Sequence, residues 1–200
     1  MDAEFWNNRF AAPRYIYGET PNVFVAEMAS KIPAGPVLCL AEGEGRNAVY
    51  LATLGHRVTA VDQSEAGLTK ARRLAAARGV EIETVLADLG NVTIEPGVWA
   101  GIVATFAHLP PAIRRKVHAQ AMCGLRPGGV FILEAYTPAQ LAVDTGGPKS
   151  PELLMTLASL RDELAGLELL IGREIERDVI EGAGHTGRGA VVQIFGRRHE

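Results

Sequence analysis

Apolar positions along this chain follow two patterns that alternate. Short, largely apolar runs at 37–40, 57–61, 99–106 and 130–134 and the mixed stretch 81–87 predict strands, and the stretches between them carry apolar residues at helical spacing. After the first strand, a helix over 47–55 turns Val49, Ala52 and Leu51 inward and is closed by Gly55. After the second, Ser64 caps a helix that runs to Arg78 on Leu68, Ala71 and Ala75 and ends at Gly79. After the fourth, Pro110 and Pro111 open a helix with Ile113, Val117, Ala121 and Leu125 at four-residue steps. The turn LRPGG over 125–129 then feeds the fifth strand, and Leu153, Leu157, Leu160 and Leu164 mark one more helix. Two last strands, 168–178 and 189–197, flank the glycine-rich connection EGAGHTGRG. Upstream, Thr20 caps a helix with Pro21 at its first position and Val23, Phe24, Met28 and Ile32 inward, stopped by Pro33. Strands alternating with helices predict an α/β, Rossmann-like, mostly parallel sheet with helices on both faces.

The chemistry gathers between residues 36 and 62. Gly43 and Gly45 form a turn after the first strand that permits close approach of a ligand to the main chain, and Asp62 ends the second strand at the same carboxyl edge. Gly43, Gly45 and Ala48 satisfy G-x-G-x-x-G/A, and Asp62 follows Gly43 by 19 residues, the spacing of a ribose-binding acid. An adenosine ligand follows. Glu42 and Glu44 flank Gly43 with only Arg46 to balance them, which disfavours a pyrophosphate and favours S-adenosylmethionine, whose sulfonium and amino group suit carboxylates. The same glycines are also compatible with an ordinary tight turn, or with a dinucleotide-dependent oxidoreductase.

Other polar residues reach that edge. Asp88 at the tip of the third strand could meet an adenine amine, with the Leu89 amide beside it, or simply cap its own turn. His108, on the FAHLPP segment after the fourth strand, lies on a loop at the edge. If the sixth strand is parallel and the seventh antiparallel, the glycine-rich connection emerges there too and brings His185 and Arg188 opposite. The loop over 136–151, with Gly146, Gly147 and Pro148, is long enough to fold over the site. The first 19 residues are dense in aromatics (Phe5, Trp6, Phe10, Tyr15, Tyr17) and read either as packing on the sheet edge or as a lid, with Arg9 and Tyr17 as its polar contacts.

Composition narrows the rest. Two hundred residues with 48% apolar content suit one domain, here 1–200, with 1–35 as lid and first helix and 36–200 as core; that leaves no room for a separate substrate domain. The net charge of −3 comes from interspersed charges with no basic stripe, which argues against nucleic acid. No run approaches membrane-spanning length and the start lacks a signal-peptide pattern, so a cytoplasmic location is expected. Cys39 and Cys123 read as reduced structural residues, with no metal site. Oligomeric state is open between monomer and weak homo-oligomer.

LCLAEGEGRNA, TAVDQS, LADL and LRPGGVFIL together resemble the motifs of the class I S-adenosylmethionine-dependent methyltransferases, and WNNRFAAPRYIYGETPN with RNAVYLA looks most like the tellurite-resistance and thiopurine branch, which methylates small molecules. The resemblance spans residues 6–197 and implies seven strands in order 3-2-1-4-5-7-6, the last reversed. It implies that Gly43 and Gly45 lie against the methionine part of the cofactor, Asp62 on the ribose, and Asp88 and Leu89 on the adenine. Trp6, Arg9, Tyr17, Asn47, Gln63 and Phe106 complete the candidate cofactor contacts. The chain departs from the family at Cys39 and Ala41, where an acid and a glycine are usual, and Glu42 is expected to supply the missing carboxylate. Methyl transfer asks mainly for alignment of donor and acceptor. His108 is the candidate to deprotonate or orient a small-molecule acceptor, with Arg114 and His185 steering it. The alternative of another class is a non-catalytic module that senses S-adenosylmethionine.

Overall fold

The structure, a computed structural model, describes residues 2–143 and 145–199. Asp144, inside the long loop expected to fold over the site, lies outside that description. Seven strands form one sheet in the order β3-β2-β1-β4-β5-β7-β6. They are β1 (Pro36–Leu40), β2 (Arg57–Asp62), β3 (Glu83–Leu86), β4 (Trp99–Thr105), β5 (Leu125–Tyr136), β6 (Leu167–Glu181) and β7 (His185–Arg198). The first five run parallel to one another, and β7 runs antiparallel to both β5 and β6. Among the described residues six α-helices accompany them: α1 (Ala3–Phe10), α2 (Val23–Met28), α3 (Arg46–Thr53), α4 (Glu65–Ala77), α5 (Pro111–Gly124) and α6 (Leu157–Glu163).

The largely apolar runs are explained by burial on both faces. Alternate residues of one strand belong to different core layers. Leu38, Leu40, Ile102, Phe131, Leu133 and Ile194 pack with Val117 and Ala121 of α5 and Leu160 of α6. Val37, Cys39, Val103, Ile132 and Phe195 pack on the opposite side with Phe24 and Val25 of α2 and Ala48 and Leu51 of α3. Edge strand β6 has one neighbour and presents the charged sequence REIERD, which discourages pairing with another chain.

Several elements differ from expectation. The cap of α2 is Asn22, not Thr20: its Oδ1 accepts from the Val25 amide at 3.1 Å, and its Nδ2 donates to two buried carboxylates, Glu134 and Glu181. Val23, expected inward, is therefore 52% exposed. The last helix starts at Leu157, because Thr156 and Ser159 form a reciprocal capping box there. Leu153 instead ends a single 3-10 turn, Pro151–Leu153. The two final strands are longer than their apolar signal, and the hairpin turn shrinks to residues 182–184.

Candidate active site

A cavity of about 530 Å³ opens at the carboxyl edge of the sheet, within the range of small-molecule and cofactor sites. It straddles the point where the strand order reverses between β1 and β4, the place where open α/β sheets bind ligands. Glu42, Asp62 and Asp88, at or just beyond the tips of β1, β2 and β3, line one half; Phe106 and His108, after β4, and His185, at the start of β7, line the other. Phe5, Trp6, Arg9 and Phe10 of α1 cover it, and Gly146, Gly147 and Pro148 of the long loop close its far side.

The strand tips are strained where they meet this space. Ala41 and Phe106 hold φ of 51° and 52°, left-handed backbone in residues with a Cβ. Both line the cavity. The first of these explains why a glycine is the easier residue after β1.

The glycine loop is packed differently from the expectation that its bare main chain faces a ligand. A Cβ on Gly43 would meet the Phe10 ring at 3.2 Å, and one on Gly45 would meet Ala71 Cβ at 2.5 Å. Their missing side chains make room for α1 and α4. Gly43 still borders the cavity with its backbone, whereas Gly45, with φ 93°, is absent from the lining.

Each of the three acids is held by amides. Asp62 accepts from Gly43 N at 2.8 Å through Oδ2 and from Ser64 N at 2.8 Å through Oδ1. Its burial raises its pKa against these hydrogen bonds. Each carboxylate oxygen has a second lone pair, so the group can still accept from a ligand hydroxyl. Glu42 Oε1 accepts from Asn47 N at 2.9 Å and Ala48 N at 2.8 Å, capping α3 from outside it. Burial pushes the Glu42 carboxyl up to about 7 despite those amides and Arg46. Behind it, Cys39 is buried in β1, and burial and Glu42 push its thiol well up, consistent with a structural residue. Asp88 Oδ1 accepts from Gly90 N at 2.8 Å, so the turn-capping role is present while the residue also lines the cavity with Leu89. Gln63 and Asn47 line it as well; Asn47 Nδ2 donates to Thr105 Oγ1 at 2.9 Å.

The opposite wall is rich in aromatic rings. His185 sits 4.5 Å from the Tyr17 ring and 4.7 Å from Phe106 between ring centroids, and Phe106 lies 4.7 Å from Tyr136. His108 stacks on Tyr136 at 5.7 Å and 8°. Its Nδ1 lies 2.9 Å from the Leu153 carbonyl oxygen, which assigns the proton to Nδ1, and Tyr136 N approaches Nε2 at 3.4 Å. Burial, with Arg114 adding, depresses His108 to about 4. Burial and the charge of Arg46 depress His185 to about 3. Both rings therefore lie below the ordinary imidazole range, less basic than a histidine poised near neutrality.

Three further expectations change. Arg114 does not face the cavity; its Nε and Nη2 donate to Glu163 at 3.0 and 2.8 Å, in a buried cluster completed by His118 Nδ1 at 2.8 Å from the same carboxylate. Arg188 is exposed and bonds to Glu176 at 3.2 Å. Glu44, read as a charge that repels phosphate, is paired with Lys70 Nζ at 2.5 Å, so it adds no net charge to the loop. Trp6, Arg9 and Tyr17 do gather at the mouth, where Arg9 Nε donates to Tyr17 Oη at 2.9 Å.

Sequence reasoning missed a buried polar network behind the aromatic wall. Glu134 of β5 and Glu181 of β6 share Arg177, and Arg46, the residue after Gly45, reaches Glu181 Oε2 at 2.6 Å. Gln193 and Asn22 complete it. Two carboxylates meet two guanidiniums, so the cluster is neutral as a unit. The only linear trace is an acid in β5 inside an otherwise apolar strand.

Among the described residues no group of His, Cys, Asp or Glu could hold a metal ion, and no helix is long and apolar enough to cross a membrane. A family model described as a methyltransferase domain matches residues 37–129, from β1 to the turn within β5. Among curated proteins, a carboxy-S-adenosyl-L-methionine synthase of Shewanella sp. (strain MR-7) is 27% identical over 115 residues, covering 56% of this chain and 44% of that protein. The chain spans less than half the length of the curated relatives it matches. A structure solved in work on the conversion of a disulfide bond into a thioacetal group during echinomycin biosynthesis shares the fold with a TM-score of 0.78 at 21% identity, covering 98% of this chain and 92% of that one. TehB from Haemophilus influenzae does so with a TM-score of 0.73 at 19% identity, covering 98% of this chain and 66% of its own.

Proposed function

We propose that this chain, whose fold is that of the class I S-adenosylmethionine-dependent methyltransferases, is an enzyme that methylates a small-molecule acceptor in the cavity at the β1–β4 switch point. The observation that carries the reading is the division of that cavity: acids at the β1, β2 and β3 tips on one side, the rings of Phe106, His108 and His185 after β4 and at the start of β7 on the other. The acidic half suits the cofactor. Asp62 would accept from ribose hydroxyls with its spare lone pairs, Glu42 would accept from the amino group, and Asp88 with the Leu89 amide would meet the adenine. When bound, S-adenosylmethionine supplies an electrophilic methyl group for in-line displacement.

The chain's own residues would then hold and enclose the acceptor. Tyr17, Phe106 and His185 would form its wall, and Trp6 with Arg9 would close the mouth. Alignment of two reactants in such a space can be worth roughly 7 to 11 kcal/mol. Because His108 and His185 are neutral and poorly basic, the acceptor supplies its own nucleophile, as a soft anion does; His108 orients the wall through its bond to Leu153. One protein of similar fold was solved in work on the conversion of a disulfide bond into a thioacetal group, and a sulfur nucleophile would be such an acceptor.

Calorimetric titration with S-adenosylhomocysteine, with NAD as control, tests this. Binding of the first alone supports the reading; binding of NAD alone overturns it. The control matters because Glu44 is neutralised by Lys70, leaving the case against a pyrophosphate to Glu42. The absence of a basic histidine favours one second reading, a protein that senses S-adenosylmethionine without turning it over. Consumption of the methyl donor in the presence of small thiols, halides or tellurium oxyanions separates the two.

A further inference from the structure

Glu44 sits between the two glycines of the loop, 3% exposed, and it is not needed by the cofactor reading above. Its carboxylate turns away to the segment 11–18 that links α1 to the rest of the chain. Oε2 accepts from Ile16 N at 2.8 Å and Tyr17 N at 3.2 Å, and Oε1 pairs with Lys70 Nζ at 2.5 Å. Lys70, on α4 and 8% exposed, places its remaining donors on the same segment, at 2.7 Å from both the Ala12 and Arg14 carbonyl oxygens. An ammonium has three protons, and here each has an acceptor.

The other face of the segment is held by the β6–β7 hairpin. Gly184 N donates to Ile16 O at 2.9 Å, and Arg46 Nη1 donates to Tyr17 O at 3.4 Å. Both amides and both carbonyls of Ile16 and Tyr17 are thus bonded, from two elements far apart in sequence. The hairpin is shaped for this contact: a Cβ on Gly184 would lie 2.4 Å from the Tyr17 ring, and one on Gly182 would lie 2.4 Å from Ile16 O.

We propose that Glu44 and Lys70 form a positioning latch that holds the 11–18 strap between the glycine loop and the hairpin, and so fixes Tyr17 against His185 as the wall of the acceptor half. The identity of that half rests on the methyltransferase reading; the latch itself does not. An apolar pair would fill the same space, but it could not satisfy two amides and two carbonyls of the strap, which is why a buried ion pair occurs here.

Hydrogen exchange of the full chain, read by mass spectrometry, tests the latch. In Lys70→Met, peptides covering 11–18 should exchange at least tenfold faster than in the wild type, while peptides from β1 and β4 keep their rates, and Lys70→Arg should return the strap to within threefold. Unchanged strap exchange, or equal acceleration of strap and core, overturns the proposal. Should Lys70→Met fail to fold, Glu44→Gln, which keeps an acceptor but loses the charge, is read in the same way. S-adenosylhomocysteine titrated into the wild type reports separately: if it does not bind, the methyltransferase reading fails while the exchange result still decides the latch.

Discussion

Replacing Glu42 by Gln should make the protein more stable and, on the proposed reading, weaken its hold on the cofactor. Gln keeps an oxygen to accept from Asn47 N and Ala48 N, so the cap on α3 survives the change. What it removes is an ionisable group that titrates near 7 in the folded chain against about 4.5 when freely solvated. Below 4.5 both states are protonated and the carboxyl has no effect on stability. Between 4.5 and 7 the unfolded chain is ionised while the folded chain holds the proton, so stability falls as pH rises, by about 1.4 kcal/mol per pH unit. Above 7 the loss is complete, at about 3 kcal/mol. Urea unfolding at pH 5 and pH 8 reads it directly: Glu42→Gln should exceed the wild type by less than about 1 kcal/mol at pH 5 and by about 3 kcal/mol at pH 8. A difference that does not grow with pH would refute the reasoning, since it would mean an ordinary carboxylate in the folded state. Titration with S-adenosylhomocysteine should show the opposite ordering, the stabilised variant binding more weakly, as expected where an acid is kept buried for a ligand rather than for the fold.

Gly45→Ala should destabilise by at least about 3 kcal/mol in urea unfolding, because it combines φ of 93° with a Cβ 2.5 Å from that of Ala71. Glu163→Gln leaves Arg114 buried without a counter-charge and should cost about 3 kcal/mol at pH 7. Glu163 is itself buried, which alone would raise it, but hydrogen bonds from His118 and Arg114 hold it near 2, so its contribution is present above 4.5 and is lost as pH falls toward 2; the variant should lack that limb of the acid transition. The ring signals of His108 and His185 in a carbon-proton NMR titration should stay at neutral positions from pH 8 to pH 5.5, and an inflection near 6.5 for either would restore a general base to the site.

Local chemistry was legible in the sequence. The β1–α3–β2 unit, the Ser64 cap and the placement of Asp62 at a strand tip all depend on residues within a turn or two of one another, and the structure has them, with Ser64 Oγ accepting from Gly67 N at 3.1 Å. The order of the strands came from a resemblance, because hydrophobic periodicity says that a strand is buried and not beside which neighbour. Caps were misread where a second partner competed: Thr20 is the better local signal, but Asn22 also bonds Glu134, 112 residues away. The roles of Glu134, Arg177 and Glu181 were invisible for the same reason, since each is an unremarkable charge until the sheet closes.

The charge argument shows the limit most clearly. Counting Glu42 and Glu44 as two like charges on one loop is sound for an isolated loop and wrong for this fold, because neighbours in sequence here face opposite sides of the loop. Glu42 turns to the helix amides and the cavity; Glu44 turns to Lys70 and the strap. One carboxylate is unpaired and has its pKa raised by burial, and the other is neutralised by an ammonium 26 residues away. Alternation of side-chain direction, which sequence reading applies to strands, applies to this turn as well because Gly43 at φ 61° and Gly45 at φ 93° reverse the chain on either side of Glu44. The glycines therefore do two things at once. They admit Phe10 and Ala71 to the loop, and they aim two identical side chains at two different tasks.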